Sequence, residues 1–274
     1  MRAQCRQSPA LRETPAFYAE PMADVEAYRV ARLMQAERFY AEVLSDLLDA
    51  RVQFLVGGGY AVNFYTSARR PTKDLDIFTT ARELPCLLSC LQHDGRTASV
   101  VDESWIGKVH FGEDFVDIIF GSSNGAVPVQ ERWLKHAREG HVLGVCVPLV
   151  SPTELIWSKV FVQKRQRHDG SDIANLILKQ HDDIDWQRLI AYMDAHWEVL
   201  LCHVLSFRWI YPSERDAVPA WLLDELLERL RRQREHPPPG ARLCRGRFLS
   251  SSDYRSAIEK WGFLDIKDEV GNDG

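Results

Sequence analysis

The spacing of hydrophobic positions changes near residue 150. Before it, short apolar runs alternate with polar turns; after it, three-four spacing dominates. From Met22 to Leu48 the apolar residues Val30, Leu33, Ala36, Tyr40, Val43 and Leu47 recur at helical spacing and predict a helix. "VQFLVG" (52–57) is an apolar run closed by glycine and predicts a strand, and "YAVNFYTS" after it predicts one or two helical turns. "DLDIFTT" (74–80) reads as a strand with Asp74, Asp76 and Phe78 on one face, because alternate side chains of a strand point the same way. "RELPCLLSCLQHDG" predicts a helix ending at Gly95. "SWIGKVHFG" and "DFVDIIFG" predict two strands around a Gly-Glu-Asp turn, hence a hairpin. "QERWLKHARE" predicts helix and "HVLGVCVPLV" strand.

"SPTELIWSKVFVQKRQ" opens the second half with Ser151 at a cap, Pro152 at the first helical position and Glu154 three residues after the cap, the pattern of a capping box. Further helices are predicted over 171–179, 185–209 and 221–234. "HPPPG" (236–240) is a stiff linker, and a short helix is expected around 252–260. No internal repeat is present. The expected organisation is an α/β domain with an N-terminal helix over residues 1–150, a helical region over 151–236, and a linker and short tail over 237–274.

Composition narrows the classes. With 274 residues, 45% apolar and 27% charged, the chain reads as an ordinary soluble globular protein. A net charge of −5 supplies no global basic field, so any nucleic-acid partner must meet a local patch. "MRAQCRQSPALRETPAFYAE" has no apolar signal region, and no run approaches the roughly 18 apolar residues of a membrane span. The expected location is therefore the cytoplasm, with no membrane partner and with Cys5, Cys86, Cys90, Cys146, Cys202 and Cys244 as reduced thiols. Cys86 and Cys90, one helical turn apart, are expected in the core. No Cys-x-x-Cys or His-Glu-x-x-His pattern suggests zinc.

The chemistry concentrates in two runs. Asp74 and Asp76 put two carboxylates side by side, which repel unless a cation holds them. A hard oxygen-ligand site of this kind suits Mg²⁺. Asp117 sits among the apolar Val116, Ile118 and Ile119, where a carboxylate needs a reason. If the two strands are neighbours, three carboxylates cluster, and such a site can hold two metals about 3.5–4 Å apart. Asp-x-Asp alone also occurs in loops and caps. Gly57, Gly58 and Gly59 end one apolar run, and glycine weakens a regular element. A strand that ends in glycine and opens a helix offers backbone N–H groups to a phosphate. Neither the Lys-Ser/Thr of a Walker loop nor the Gly-x-Gly-x-x-Gly spacing of a dinucleotide site is present.

"VGGGYAV…RRPTKDLDIF…VDIIF" resembles the nucleotidyltransferase fold of the DNA polymerase β-like superfamily, and within it the small bacterial nucleotidyltransferases that include antibiotic adenylyltransferases and AbiE-type toxins. The family pattern of a Gly pair, an Ala and Arg-x-Thr-x-Asp-hydrophobic-Asp falls on Gly58, Gly59, Ala61, Arg70, Thr72, Asp74 and Asp76. Gly57 leaves the register of the pair open by one. The resemblance runs from about Phe54 to Phe120, and more weakly through "SPTELIWSKVFVQKRQRHDGSDIANLI", with nothing specific after about Asp185. It implies an α/β fold with a mixed sheet flanked by helices and a mainly helical C-terminal half. It implies Mg²⁺-dependent transfer of a nucleoside monophosphate from an NTP to an acceptor hydroxyl, with release of pyrophosphate. Asp74, Asp76 and Asp117 would be the catalytic residues and the ligands of two metals. Gly58, Gly59, Arg70, Thr72 and Lys159 would bind the nucleotide, Lys159 as the family's phosphate-binding lysine. The acceptor would be a small hydroxylated molecule, or an RNA or protein as in toxin-type members that pair with an antitoxin. A non-catalytic nucleotide-binding module is a third reading, against which the presence of all three carboxylates argues.

Plainer roles stand beside these. Arg70 and Thr72 also read as hairpin residues and Lys159 as a solvated lysine. Asp169 and Asp172 read as caps of the next helix, and Lys108 as a solvated strand residue. "RLRRQREH" (229–236) reads as a solvated basic helix end, where arginine is favoured, or as an RNA-contacting patch. Arg231 and His236 have the Arg-x4-His spacing of HEPN ribonucleases, a short and common spacing.

Overall fold

The computed structural model describes residues 22–164, 167–246 and 251–266. Cys5 and the N-terminal segment lie outside them. A long helix α1 (Met22–Asp49) leads into a sheet whose seven strands are β1 (Leu55–Val56), β2 (Leu75–Phe78), β3 (Thr97–Asp102), β4 (Ile106–Phe111), β5 (Asp114–Ile119), β6 (Arg138–Val142) and β7 (Val145–Leu149). Their order across the sheet is β3-β4-β5-β2-β1-β7-β6. Pairing is parallel between β2 and β5 and between β1 and β7, and antiparallel elsewhere, so the sheet is mixed. Helices α2 (Gly58–Thr66), α3 (Leu84–Leu91) and α4 (Glu131–Lys135) connect the strands. The C-terminal half is helical, with α5 (Pro152–Lys159), α6 (Gly170–Gln180), α7 (Trp186–Tyr192), α8 (Trp197–Ile210) and α9 (Ala220–Glu235). Between α5 and α6 lie two short strands, β8 (Gln163–Lys164) and β9 (Arg167–His168), paired antiparallel. After the proline run, β10 (Leu243–Cys244) pairs parallel with β11 (Leu264–Asp265), with α10 (Ser251–Glu259) between them. This is the expected mixed sheet flanked by helices and followed by a helical half.

Several elements depart from the sequence pattern for identifiable reasons. On α1 only the stripe from Ala36 onward, with Tyr40, Val43 and Leu47, is buried; Val30 and Leu33 are exposed. β3 carries no apolar alternation because it is an edge strand with nearly every side chain in water, and its partner β4 alone defines it. The expected strand at 141–150 is instead a hairpin of β6 and β7, and β6 takes over the end of the expected helix at 130–139. Its turn holds Leu143 and Gly144 both at positive φ, a two-residue primed turn that favours asparagine or glycine and is poorly announced by leucine. Helix α5 stops at Lys159 rather than running on to residue 166, and the expected helix at 185–209 breaks at Met193 into α7, a single 3-10 turn and α8. Ser151 does cap α5 by position, but its hydroxyl bonds the Glu154 carboxylate instead of a backbone N–H. Cys86 is exposed and Cys90 half-buried, because Leu84, Leu87 and Leu91 take the buried face of α3.

One continuous core joins the two halves, from Leu55, Ile77 and Ile118 in the sheet to Leu155, Ile177, Leu189 and Val204 in the helices. An aromatic ladder crosses it: Phe78 stacks on Trp133, Trp133 tilts against Trp157, and Trp157 stacks on Tyr192 at 4.1 Å. Beneath it, the fully buried Glu154 ties three elements together, receiving Tyr192 Oη at 3.1 Å and standing 2.9 Å from Arg188 Nε and 3.2 Å from His136 Nδ1. The strand β2 and the helix α5 are therefore joined through this ladder, by Phe78 and Trp157 on either side of Trp133. Among the described residues no helix is long and apolar enough to cross a membrane.

Candidate active site

The three glycines and the Asp-Leu-Asp run meet face to face. β1 pairs antiparallel with β2, and the Gly57 N–H donates to the Asp76 carbonyl at 3.0 Å, so α2 begins directly beside Asp76. A Cβ on Gly57 would lie 2.3 Å from the Phe78 ring, one on Gly58 1.6 Å from Asp76 Oδ2, and one on Gly59 2.5 Å from the Thr72 methyl. Gly58 also has φ +53°, the left-handed region that side chains disfavour. Each glycine thus makes room for a particular side chain of the segment that carries the carboxylates. The Asp76 carboxylate consequently sits at the N-terminus of α2, where the helix leaves backbone N–H groups unpaired.

Asp76 is 5% exposed. Burial, and then the neighbouring Asp74, push its carboxyl up to about 7 from an ordinary 3.8, with Arg167 and Lys159 pulling the other way. Asp74 is half-buried just ahead of β2. On the adjacent parallel strand, Asp117 stands in register with Asp76, and across β4 the partner of Asp117 is Lys108. Lys108, Asp117 and Asp76 therefore form one row across three strands. The Lys108 ammonium donates to Asp117 Oδ1 and lies 3.9 Å from the centre of the Phe115 ring. Burial raises the Asp117 carboxyl, and the Lys108 bond offsets part of that rise. Lys108 is thus paired to a site carboxylate rather than solvated. Among the described residues, no three acidic, histidine or cysteine side chains stand close enough to share a metal ion.

A cavity opens beside this row. Gly58, Asp76, Lys159, Asp169 and Arg167 line its charged end, and Phe78, Trp105, Ile119, Val127 and Phe161 its apolar wall. Buried Lys159 Nζ is 3.0 Å from Asp169 and 2.9 Å from Asp172. Arg167 reaches Asp169 at 3.4 Å, and Arg70 reaches Asp172 at 2.7 Å. Burial pushes the Asp172 carboxyl up, but its bonds from Arg70 and the Lys159 charge more than reverse this, leaving it below the usual value. Of the residues singled out from the sequence, Gly58, Asp76 and Lys159 line the cavity together, and Asp117 adjoins Asp76. Gly59 and Thr72 pack on each other. Arg70 is tied to α6 through Asp172, and its carbonyl accepts from Asn63 Nδ2 at 2.7 Å. Asp169 does occupy the N-cap position of α6, yet its side chain makes no capping bond there and pairs with Lys159 instead.

Sequence reasoning took Lys108 for a solvated residue and passed over Arg167. Lys108 could have been found from the hairpin, since a two-residue turn after Phe111 fixes it opposite Asp117. Arg167 lies in a basic turn whose members become distinguishable only once β8 and β9 pair.

The oxygen donors at Asp76 are of the chemical kind that a hard divalent cation takes. Asp76 is a buried carboxylate with a second carboxylate beside it, and a bound cation would offset both the burial and the repulsion. No family model matches the chain, and no curated protein matches it. Solved structures do. The antibiotic-resistance factor ANT(2'')-Ia is 16% identical, with 66% of this chain and 95% of that chain covered and a TM-score of 0.42. The lincosamide antibiotic adenylyltransferase LnuA, solved with lincomycin bound, is 21% identical over 51% of this chain and 94% of its own, with a TM-score of 0.38. JHP933 from Helicobacter pylori is 13% identical over 77% of this chain and 95% of its own, with a TM-score of 0.35.

Proposed function

We propose that this protein is a metal-dependent nucleotidyltransferase. The observation that carries the reading is Asp76: a carboxylate raised by burial and then by the neighbouring Asp74, set against a helix N-terminus through Gly58, and in register with Asp117. Asp74 and Asp76 would hold Mg²⁺, which would supply the positive charge that the paired carboxylates and a triphosphate both require. The N-terminus of α2 at Gly58 and Gly59 and the Lys159 ammonium bind the triphosphate, with Arg70 and Thr72 bracing the segment that carries Asp74. The acceptor hydroxyl oxygen forms a bond to the α-phosphorus while the bond to pyrophosphate breaks. Its proton passes to the Asp117 carboxylate.

The acceptor favoured by the structure is a small hydroxylated molecule. The cavity beside Asp76 has a compact apolar wall suited to a small ligand. The basic end of α9, by contrast, is spent on neighbours: Arg229 pairs with Asp194 and Glu225, Arg231 with Glu228, and Arg232 with Glu225 and Glu228. That leaves little free charge for a nucleic-acid backbone.

Two measurements test this. Each NTP is added with Mg²⁺ or with EDTA, and the melting temperature is followed. At least one NTP raises it with Mg²⁺ and hardly without, by ligand linkage; equal stabilisation in EDTA refutes the metal role. Labelled NTPs are then incubated with the protein and a cell extract. Label enters small molecules; label in RNA or protein overturns the acceptor assignment and supports a toxin-type activity, and label nowhere supports a non-catalytic module.

A further inference from the structure

Asp76 and Asp117 are neighbours in the same row, yet they are compensated differently. Asp117 has a cation of its own, the Lys108 ammonium, bonded to Oδ1 and steadied against the Phe115 ring two residues earlier on the same strand. Among the described residues Asp76 has no side-chain bond of this kind; Lys159 and Arg167 act on it only at a distance, and both are engaged by Asp169. Asp117 bonds across to β4, and among the described residues no three acidic, histidine or cysteine side chains stand close enough to share a metal ion.

We propose that Lys108 is a positioning residue whose ammonium takes the place of a second metal ion on Asp117, so that the site binds a single divalent metal, on Asp74 and Asp76, together with the nucleotide. The inference rests on the nucleotidyl-transfer reading of the same site. The physical argument is one of charge. Asp117 already shares its row with a fixed positive group, and a divalent ion brought to the same oxygen would have to displace that ammonium or endure its repulsion. An ammonium on a β-strand is pre-placed by the fold, whereas a second ion must be recruited from solution and stripped of water. With Oδ1 held by Lys108, the carboxylate is oriented to receive the acceptor proton without serving as a metal ligand. Lys108 touches no reacting atom in this scheme; it acts through Asp117.

The test counts metal ions. The α,β-methylene analogue of each of the four ribonucleoside triphosphates is added to the parent protein, to Lys108→Met and to Lys108→Arg, and bound Mn²⁺ is determined from the electron paramagnetic resonance of the free ion. With the analogue that binds, the parent takes one Mn²⁺ per chain. Lys108→Arg, which keeps a cation at the position, also takes one. Lys108→Met leaves Asp117 without its cation and takes two. Two ions in the parent overturn the inference and leave the nucleotidyl-transfer reading standing, whatever the variants do. One ion in a folded Lys108→Met also overturns the inference. No ion in the parent with any analogue overturns the nucleotidyl-transfer reading and the inference with it.

Discussion

Replacing Asp76 by asparagine should make the metal-free protein more stable, and only above acidic pH. In the unfolded chain this carboxyl ionises near 3.9. In the fold, burial and the Asp74 charge hold its proton until about pH 7. Ionised Asp76 is therefore a cost to the fold that is absent below about pH 4, grows as pH rises toward 7, and is constant above. Each unit of displacement is worth about 1.4 kcal/mol, so a rise of roughly three units sets an upper bound of about 4 kcal/mol. Asparagine keeps the shape and removes the charge. It forfeits little else, since the surroundings act on this carboxylate through burial and distant charge. The assay is urea unfolding in EDTA at pH 4.5 and pH 8, comparing the two proteins at each pH so that every other titrating group cancels. The expected result is near-equality at pH 4.5 and a gain of about 2–4 kcal/mol for Asp76→Asn at pH 8, with unchanged denaturant slopes. Adding Mg²⁺ at pH 8 should stabilise the parent and hardly affect the variant. A variant no more stable than the parent at pH 8, or a gain that does not change with pH, refutes the claim that this carboxylate is held against its preference.

Three further perturbations separate the roles of neighbouring residues. Asp117→Asn should keep Mg-NTP affinity within about tenfold, or ~1.4 kcal/mol, while turnover falls by orders of magnitude in a single-turnover assay; because burial raises this carboxyl in spite of Lys108, the metal-free variant should be no less stable than the parent in urea at neutral pH. Gly58→Ala forces a Cβ into the Asp76 carboxylate at a positive φ, so unfolding should show a loss of about 2–4 kcal/mol together with loss of Mn²⁺ binding, and a variant that melts like the parent would mean the helix start can shift freely. Glu154→Gln removes the buried charge that faces Arg188, Tyr192 and His136; about 3 kcal/mol of stability should go, with Mg-NTP affinity per folded molecule unchanged in calorimetry.

How much of this could be read along the chain depends on whether the deciding partner is near in sequence. The strand β2, the hairpin of β4 and β5, and the helical character of the chain after residue 150 are local patterns, set by period and turn chemistry, and they formed where the pattern indicates, although α5 ends early and the helix expected at 185–209 breaks at Met193. So did the association of glycines with Asp-x-Asp, though its structural reason was hidden: the glycines admit Phe78, Asp76 and Thr72, a close approach that only antiparallel pairing of β1 with β2 creates. The edge strand β3 and the β6–β7 hairpin were not legible, because one has no buried face and the other turns at a leucine.

The charges divide in the same way. From the sequence alone, Asp74 and Asp76 are adjacent and Asp117 is a carboxylate in an apolar strand; those facts depend only on spacing. Which cation serves which carboxylate is decided by registers spanning tens of residues. β2 lies parallel to β5, which brings Asp117 beside Asp76; β4 lies antiparallel to β5, which gives Asp117 to Lys108. The fold of α5 against α6 gives Lys159 to Asp169 and Asp172. A carboxylate's proton affinity follows from the burial and the charges around it in space. The sequence therefore determined which groups the site contains, and the tertiary structure determined that Asp117 was given to Lys108 while Asp76, among the described residues, feels its cations only at a distance.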